Sequence, residues 1–219
     1  MLDLIPRRAF FRFELPIQYM PKLPRIDGDL GKWHARFLAP PLIEIEGRPP
    51  IADVYWAWND EYFIFAMDVP SRTGGLICDP KEWWKGDGLR LCIDTRDTRD
   101  NKRATRFCHF FYFMPIGVGK NQDMPVVGTH KMSRAKEPPP PVDVSRILVA
   151  SRVQRRSYTL EAAIPSACLT GWEPSDHPRI GIFTKVRDTS LGDQHLTVDD
   201  ELGWNADPST WATAVLLRD

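Results

Sequence analysis

The spacing of the apolar residues constrains the fold more than any other feature of this sequence. They recur with period two or in short dense runs, and turn-favouring residues separate the runs at intervals suited to strands. No run has the length of a helix in an α/β fold. The pattern predicts an all-β, antiparallel β-sandwich of jelly-roll type. Its clearest strands cover residues 52–59, 61–69, 88–94, 105–114, 146–153, 157–164, 179–188 and 210–217.

The length of the chain suits one β-sandwich with a sizeable core, so we predict a single domain over residues 1–219. Residues 115–145 contain PIGVGKNQDMPVVG and then KEPPPPVD. Proline at this density disfavours regular strand pairing. We therefore predict one long, irregular, proline-rich loop at 115–145, of the kind that often carries binding surface.

The charge balance, the cysteines and the first residues indicate which binding partners and which cellular compartment to expect. Lys plus Arg and Asp plus Glu both number 29, so no overall field attracts nucleic acid or an anionic membrane. The four cysteines show no CxxC spacing and are predicted to be free thiols. The first 20 residues lack the apolar core of a secretory signal, which indicates a cytoplasmic protein. If the true start lies upstream, an extracellular or periplasmic location becomes possible. Nothing in the sequence defines an oligomeric state.

The stretch KEWWKGDGLRLCIDTRD, residues 81–97, places two adjacent tryptophans before a strand. On an extended segment adjacent side chains alternate between the two sides, so one of Trp83 and Trp84 should be exposed. Leu89, Leu91 and Ile93 form the apolar face of the following strand. Arg90 should then project from the opposite face, which the Trp84 turn continues.

Several motifs, in order, resemble the family 9 carbohydrate-binding modules over roughly residues 24–219. They are Ile26-Asp27-Gly28-Asp29-Leu30 with Trp33, then Trp58-Asn59-Asp60, the Trp84–Asp94 segment, Tyr158–Pro165, Gly181–Asp188, and Trp204 with Pro208–Leu217. The resemblance implies a β-sandwich in which two aromatic side chains clamp a sugar ring and polar groups bind its hydroxyls. That family is associated with the reducing ends of glucans and xylans.

Carried onto this chain, the resemblance makes Trp84 and Trp204 the two clamps. A pyranose stacks its C–H face on an indole while its hydroxyls need donors and acceptors, for which Asp87, Arg90 and Asn205 are the candidates. The family usually has an acidic residue where this chain has Arg90. This exchange predicts a preference for an anionic sugar, because a guanidinium can bind a carboxylate or a sulfate.

The resemblance implies no catalytic residues and no cofactor, although the family sometimes carries structural calcium. The carboxylates in DTRDTRDNK (94–101) are interleaved with arginines, which favours local ion pairs over a cation site. The spacing of the later acidic residues does not indicate whether they bind a cation; these residues are Asp199, Asp200, Glu201 and Asp207. The histidines show no zinc-binding pattern.

Three other functions stay open at this point. One is an interaction or scaffold protein whose ancestral sugar site has decayed. Another is a glycoside hydrolase, for which Asp87, Glu161 and Asp188 are the candidate carboxylates. The third is haem ligation by Met67 and His109.

Overall fold

The computed structural model describes residues 5–98 and 101–218. Within these residues the chain forms eleven strands: β1 Glu14–Tyr19, β2 Asp53–Trp58, β3 Tyr62–Val69, β4 Gly88–Asp94, β5 Cys108–Val118, β6 Met124–Thr129, β7 Leu148–Val153, β8 Tyr158–Pro165, β9 Arg179–Asp188, β10 Gly192–His195 and β11 Ala212–Leu217. The helical elements in the described residues are short 3-10 turns: Arg7–Phe10, Leu30–Lys32, Ala35–Phe37, Leu42–Glu46, Pro80–Glu82, Val144–Arg146, Ser166–Cys168, Asp200–Leu202 and Pro208–Thr210.

The strands form one continuous sheet in the order β6-β5-β4-β9-β11-β1-β2-β3-β8-β7, with β10 paired to β9. The sheet folds over so that its two halves pack face to face, with the ring centroids of Phe65 on β3 and Phe113 on β5 only 4.7 Å apart. Strand β1 pairs in parallel with both β11 and β2, and thereby joins the halves. The remaining pairs are antiparallel. The all-β sandwich prediction is confirmed.

All eight predicted strands are present, and their inward-facing side chains form the core between the halves. Trp56, Trp58 and Trp211 are buried there. A smaller apolar cluster, which includes Trp33 and Phe37, covers the outer face of β2, β3 and β8. The sequence pattern missed β1, β6 and β10. Strand β10 reads GDQH and has no apolar residue to reveal it.

The prediction of one irregular loop over residues 115–145 is wrong in its first half. Strand β5 continues to Val118, and β6 pairs with it antiparallel. Pro115 lies where the β5–β6 register shifts, and Pro125 lies on β6, which is an edge strand of the sheet. Proline is tolerated at bulges and on edge strands because its missing N–H interrupts no ladder there. The segment from His130 to Asp143 does lack regular structure.

The motif around Ile26–Trp33 is fastened to the sheet by one buried carboxylate. Glu161 on β8 accepts hydrogen bonds from the backbone N–H groups of Asp27 and Gly28, both at 3.0 Å. It also accepts from the Trp33 indole at 2.9 Å and the Lys32 ammonium at 3.0 Å. This part of the sequence resemblance therefore corresponds to a structural anchor.

The four cysteines are free, as predicted. In the described part of the chain no helix combines the length and the apolar character that a membrane crossing requires.

Candidate functional site

An open cleft of about 400 Å³ lies on the outer face of strands β5, β4 and β9. The cross-strand register sets its floor, because Arg90 on β4 stands opposite Tyr112 on β5 and Lys185 on β9. The loop before β4 supplies one wall and the loop before β11 supplies the other. The lining residues are Trp83, Trp84, Arg90, Phe110, His130, Lys185, Asp200, Trp204 and Asn205.

The first wall consists of the two adjacent tryptophans. They follow the 3-10 turn Pro80–Glu82, and Trp83 itself has helical backbone angles, so the pair does not lie on an extended segment. Trp83 stacks flat on Tyr112, with centroids 4.4 Å apart and planes 8° apart. Trp84 meets Trp83 edge-on at 6.0 Å and is 52% exposed. Packing of the first indole leaves the second open to solvent.

The loop before β4 can approach the sheet closely because Gly88 begins the strand. Gly88 has a φ of 137°, and a Cβ at this position would lie 2.0 Å from the carbonyl oxygen of Phe113. Only glycine fits such an approach and such a φ. The loop is thereby held against β5, where Trp83 reaches Tyr112.

The second wall contains Trp204, which is 6% exposed. One face of its indole stacks on Phe183 of β9, with centroids 4.7 Å apart and planes 14° apart. The indole N–H donates to Asp200 at 2.8 Å. Trp204 is therefore a fixed, mostly covered wall, whereas Trp84 presents an open surface.

Asp200 organises this second wall through several charged contacts. Its carboxylate binds the Lys185 ammonium at 2.6 Å and the His195 ring at 3.0 Å, in addition to Trp204. The hydrogen bond with His195, followed by those with Lys185 and Trp204, holds the pKa of Asp200 far below its usual value. The carboxylate is ionised at neutral pH and fixes the groups around it.

Arg90 lines the cleft but is only 2% exposed. Its Nη2 donates to the carbonyl oxygens of Trp83 and of Gly86, the latter at 2.8 Å. Its Nη1 is buried and has no hydrogen-bond partner among the described residues. Burial lowers the pKa of Arg90 to about 10, which keeps the guanidinium charged at neutral pH. Arg90 thus holds the tryptophan loop through Nη2, while Nη1 has no partner among the described residues.

The placement of Asp87 as a ligand-binding residue is wrong. Its carboxylate is fully buried and accepts hydrogen bonds from Arg72 Nη2 at 2.8 Å, Ile77 N at 2.8 Å and Thr189 N at 2.6 Å. A carboxylate next to a turn is drawn inward when backbone N–H groups and an arginine need an acceptor there. The structure brings Trp84, Trp204, Arg90 and Asn205 together, and Asn205 is exposed at the cleft.

Sequence reasoning missed Phe110, His130, Lys185 and Asp200 as lining residues. Lys185 and Phe110 could have been found only from the strand register, because both lie on the Arg90 side of the sheet. His130 follows β6, a strand that was itself not predicted. Partial burial lowers the pKa of His130, so its ring is neutral at pH 7 and offers both a donor and an acceptor.

A group of possible metal ligands beside the cleft does not suit calcium. Among the described residues, Asp193, His195 and Asp200 bring potential ligand atoms within 4.8 Å of one another. The Lys185 ammonium already bridges this group, at 2.9 Å from Asp193 and 2.6 Å from Asp200. Calcium prefers six to eight oxygen ligands, so a set with an imidazole and a resident ammonium does not fit it. The predicted ion-paired cluster 94–101 includes Arg99 and Asp100, which lie outside the described residues.

The carboxylates considered for glycoside hydrolysis lie away from the cleft. Asp87 and Asp188 are buried and share Arg72, at 2.8 and 2.9 Å. Glu161 is buried in the anchor described above. Met67 and His109, the residues considered for haem, are also buried and do not line the cleft.

Two solved structures share this architecture across nearly the whole chain. One is a family 9 carbohydrate-binding module from Caldicellulosiruptor kristjanssonii in complex with cellotriose, with a TM-score of 0.61 and 15% identity over 94% of this chain and 95% of that one. The other is a family 9 module from the same organism in complex with glucose, with a TM-score of 0.62 and 14% identity over 94% and 97%. The sequence matches no protein-family model and no curated protein. At this identity the likeness concerns the fold, and the chain has the β-sandwich fold of a family 9 carbohydrate-binding module.

Proposed function

We propose that this protein binds carbohydrate and that the cleft between Trp84 and Trp204 holds the saccharide. The observation that carries the proposal is the half-exposed Trp84 indole at the edge of a 400 Å³ cleft. An exposed indole next to a concave, mixed polar and aromatic surface is typical of a binding site. The shared fold with modules whose structures were solved in complex with glucose and with cellotriose supports the same function.

The lining residues match the two kinds of surface on a sugar ring. Trp84 offers an open aromatic face for the C–H groups, and Trp204 bounds the opposite side. Asn205, His130 and Asp200 offer donors and acceptors for hydroxyls at the cleft. Asp87 has no part in this site.

We extend the proposal to an anionic or a reducing-end sugar. Arg90 places a guanidinium at the floor whose buried Nη1 has no partner among the described residues, whereas the Lys185 ammonium beside it is already paired with Asp193 and Asp200. One nitrogen, rather than a two-donor fork, would then bind a uronate carboxylate or a sulfate. A reducing-end ring is the other candidate ligand, because glucose, the ligand of one similar structure, itself carries a free reducing end.

Titration calorimetry with glucose and glucuronate tests the proposed function by comparing the affinities of the parent and of a Trp84 variant. We expect Trp84→Ala to weaken binding by about 1–2 kcal/mol, roughly five- to thirtyfold, because the stacking face is removed. Phe10→Ala is the matched control, since Phe10 is also an exposed aromatic, at 75%, but does not line the cleft. If neither sugar, nor any neutral or acidic glycan, produces heat at millimolar concentration, the proposal is wrong.

The same titrations test the anionic preference. The parent should bind glucuronate more tightly than glucose, and added salt should reduce the difference because it screens the charge of the ligand. In Arg90→Gln the difference should shrink further. Equal affinity of the parent for both sugars would leave a saccharide site without selection for charge.

A scaffold protein with a decayed sugar site is the second candidate. It is favoured by the near-complete burial of Trp204 and by the use of Arg90 Nη2 in holding the loop. A failure of every glycan in the calorimetric test would favour this candidate.

A further inference from the structure

A second recess adjoins the cleft on the side of His130. It has a volume of about 230 Å³ and lies between the end of β6 and the proline run Pro138–Pro141. Phe110 and His130 line both the recess and the cleft. The two spaces therefore share one boundary and adjoin along it.

The shared boundary is held by several contacts. The backbone N–H of His130 donates to the Phe110 carbonyl at 2.9 Å. The imidazole lies 5.3 Å from the Phe110 ring and 5.0 Å from the Trp83 ring, measured between centroids. The same imidazole thus touches the tryptophan wall of the cleft and borders the recess.

The proline run forms the far side of the recess and is tied to the rest of the fold at both ends. Before it, Lys136 N donates to the Ala104 carbonyl at 2.8 Å. After it, the Cys168 thiol lies 3.6 Å from the Asp143 carbonyl oxygen. Four prolines in succession have restricted backbone angles, so this side is a semi-rigid surface.

The chemistry of the recess is that of a surface for a hydroxylated, partly apolar ligand. Proline rings present C–H faces, and proline residues offer carbonyl acceptors but no N–H donors. The hydroxyl of Thr129, the ring of His130 and the ammonium of Lys131 supply donors at the same recess. A sugar ring has matching C–H faces and hydroxyls that both donate and accept.

The size of the recess argues against an independent site. Small-molecule sites usually occupy roughly 300–1,000 Å³, and 230 Å³ falls below that range. The cleft beside it lies within the range. We infer that the recess is a second subsite of the proposed saccharide site, which takes the next sugar unit of an oligosaccharide whose first ring lies against Trp84.

This inference rests on the proposed function, and a ligand-length series tests it separately. Calorimetry on the full chain would compare glucose, cellobiose and cellotriose, and in parallel galacturonate with its dimer and trimer. For whichever of the two sugar series binds the parent, we expect the dimer or trimer to bind about tenfold more tightly than the monomer, equivalent to about 1.4 kcal/mol. In Pro139→Ser/Pro140→Ser the ratio of trimer to monomer affinity should fall close to one.

Pro49→Ser is the matched control, because Pro49 is an exposed loop proline outside both lining sets. It should keep the parent ratio. As a second measurement, the His130 ring signals in NMR spectra of the parent should move further with the trimer than with the monomer.

The outcomes separate the two proposals. Equal affinity for monomer and trimer would overturn the second subsite and leave the saccharide site in place. If the affinity rises with oligosaccharide length and the double proline variant keeps that rise, the second subsite is also overturned, because the further sugar units would then lie elsewhere. Failure of both series to bind would contradict the proposed function itself.

Discussion

At the scale of single residues, two carboxylates that the sequence suggested as functional groups are buried and stabilise loops of the fold. Asp87 and Glu161 are both fully buried and accept several hydrogen bonds each. Backbone N–H groups in tight loops need acceptors when water is excluded, and an ionised carboxylate can serve several at once. Such residues are essential to the shape of the loops without touching a ligand.

Replacing Glu161 with glutamine should destabilise the fold. The amide would keep one acceptor oxygen and turn an NH₂ group toward the donors of Gly28, Trp33 or Lys32. We expect Glu161→Gln to lower the free energy of unfolding by about 3 kcal/mol, measured by urea denaturation. Glu173→Gln is the control, because that exposed glutamate pairs only at the surface with Arg96 and His177. A control as destabilised as Glu161→Gln would contradict the assignment of the anchor.

At the scale of elements, the two walls of the cleft are built differently. The tryptophan loop before β4 rests on Tyr112 and is held by Arg90. The loop before β11 is held by the ionised Asp200, which contacts Lys185, His195 and Trp204. The second wall therefore depends on charge, and its stability should depend on pH.

The pH dependence follows from the lowered pKa of Asp200. A carboxyl group whose folded pKa lies below its unfolded value stabilises the fold above the unfolded pKa, and this contribution is lost as pH falls through the folded pKa. The difference in unfolding free energy between the parent and Asp200→Asn should be largest near neutral pH. It should shrink progressively below about pH 4, near the ordinary pKa of aspartate.

Urea unfolding followed by tryptophan fluorescence at several pH values measures this difference. Asp123→Asn is the control, because Asp123 is exposed in the β5–β6 turn and should show no comparable difference. A difference between parent and Asp200→Asn that stays constant from neutral to acid pH would mean that the charge of Asp200 does not hold the wall.

At the scale of the whole molecule, strand β1 joins the two halves of the sheet. It pairs with β11 on one side and β2 on the other, and the Trp58 indole donates to the Ile17 carbonyl at 2.9 Å. Through β1, the strand pairing runs without a break from β6 to β7. We propose on this ground that residues 1–219 fold as one domain.

Truncation of Ile17 should destabilise both halves together. Ile17 is buried, and Ile17→Ala should cost about 2–4 kcal/mol through lost burial and a residual cavity. Fluorescence and far-UV circular dichroism should report one coincident transition at a lower urea concentration. Ile77→Ala, at an exposed isoleucine, is the control and should change stability little. Two separate transitions would contradict a single cooperative unit.

The sequence by itself determined the fold class and most of the strands, because burial on one face of a sheet leaves a period-two pattern that local reasoning can detect. The motifs that resemble family 9 carbohydrate-binding modules also pointed to Trp84, Trp204, Arg90 and Asn205, which line one cleft. Only the tertiary structure decided that Asp87 is buried and that Trp204 is covered by Phe183. It also brought Lys185 opposite Arg90. These features depend on strand register and on contacts between residues far apart in the chain, and a linear pattern contains neither.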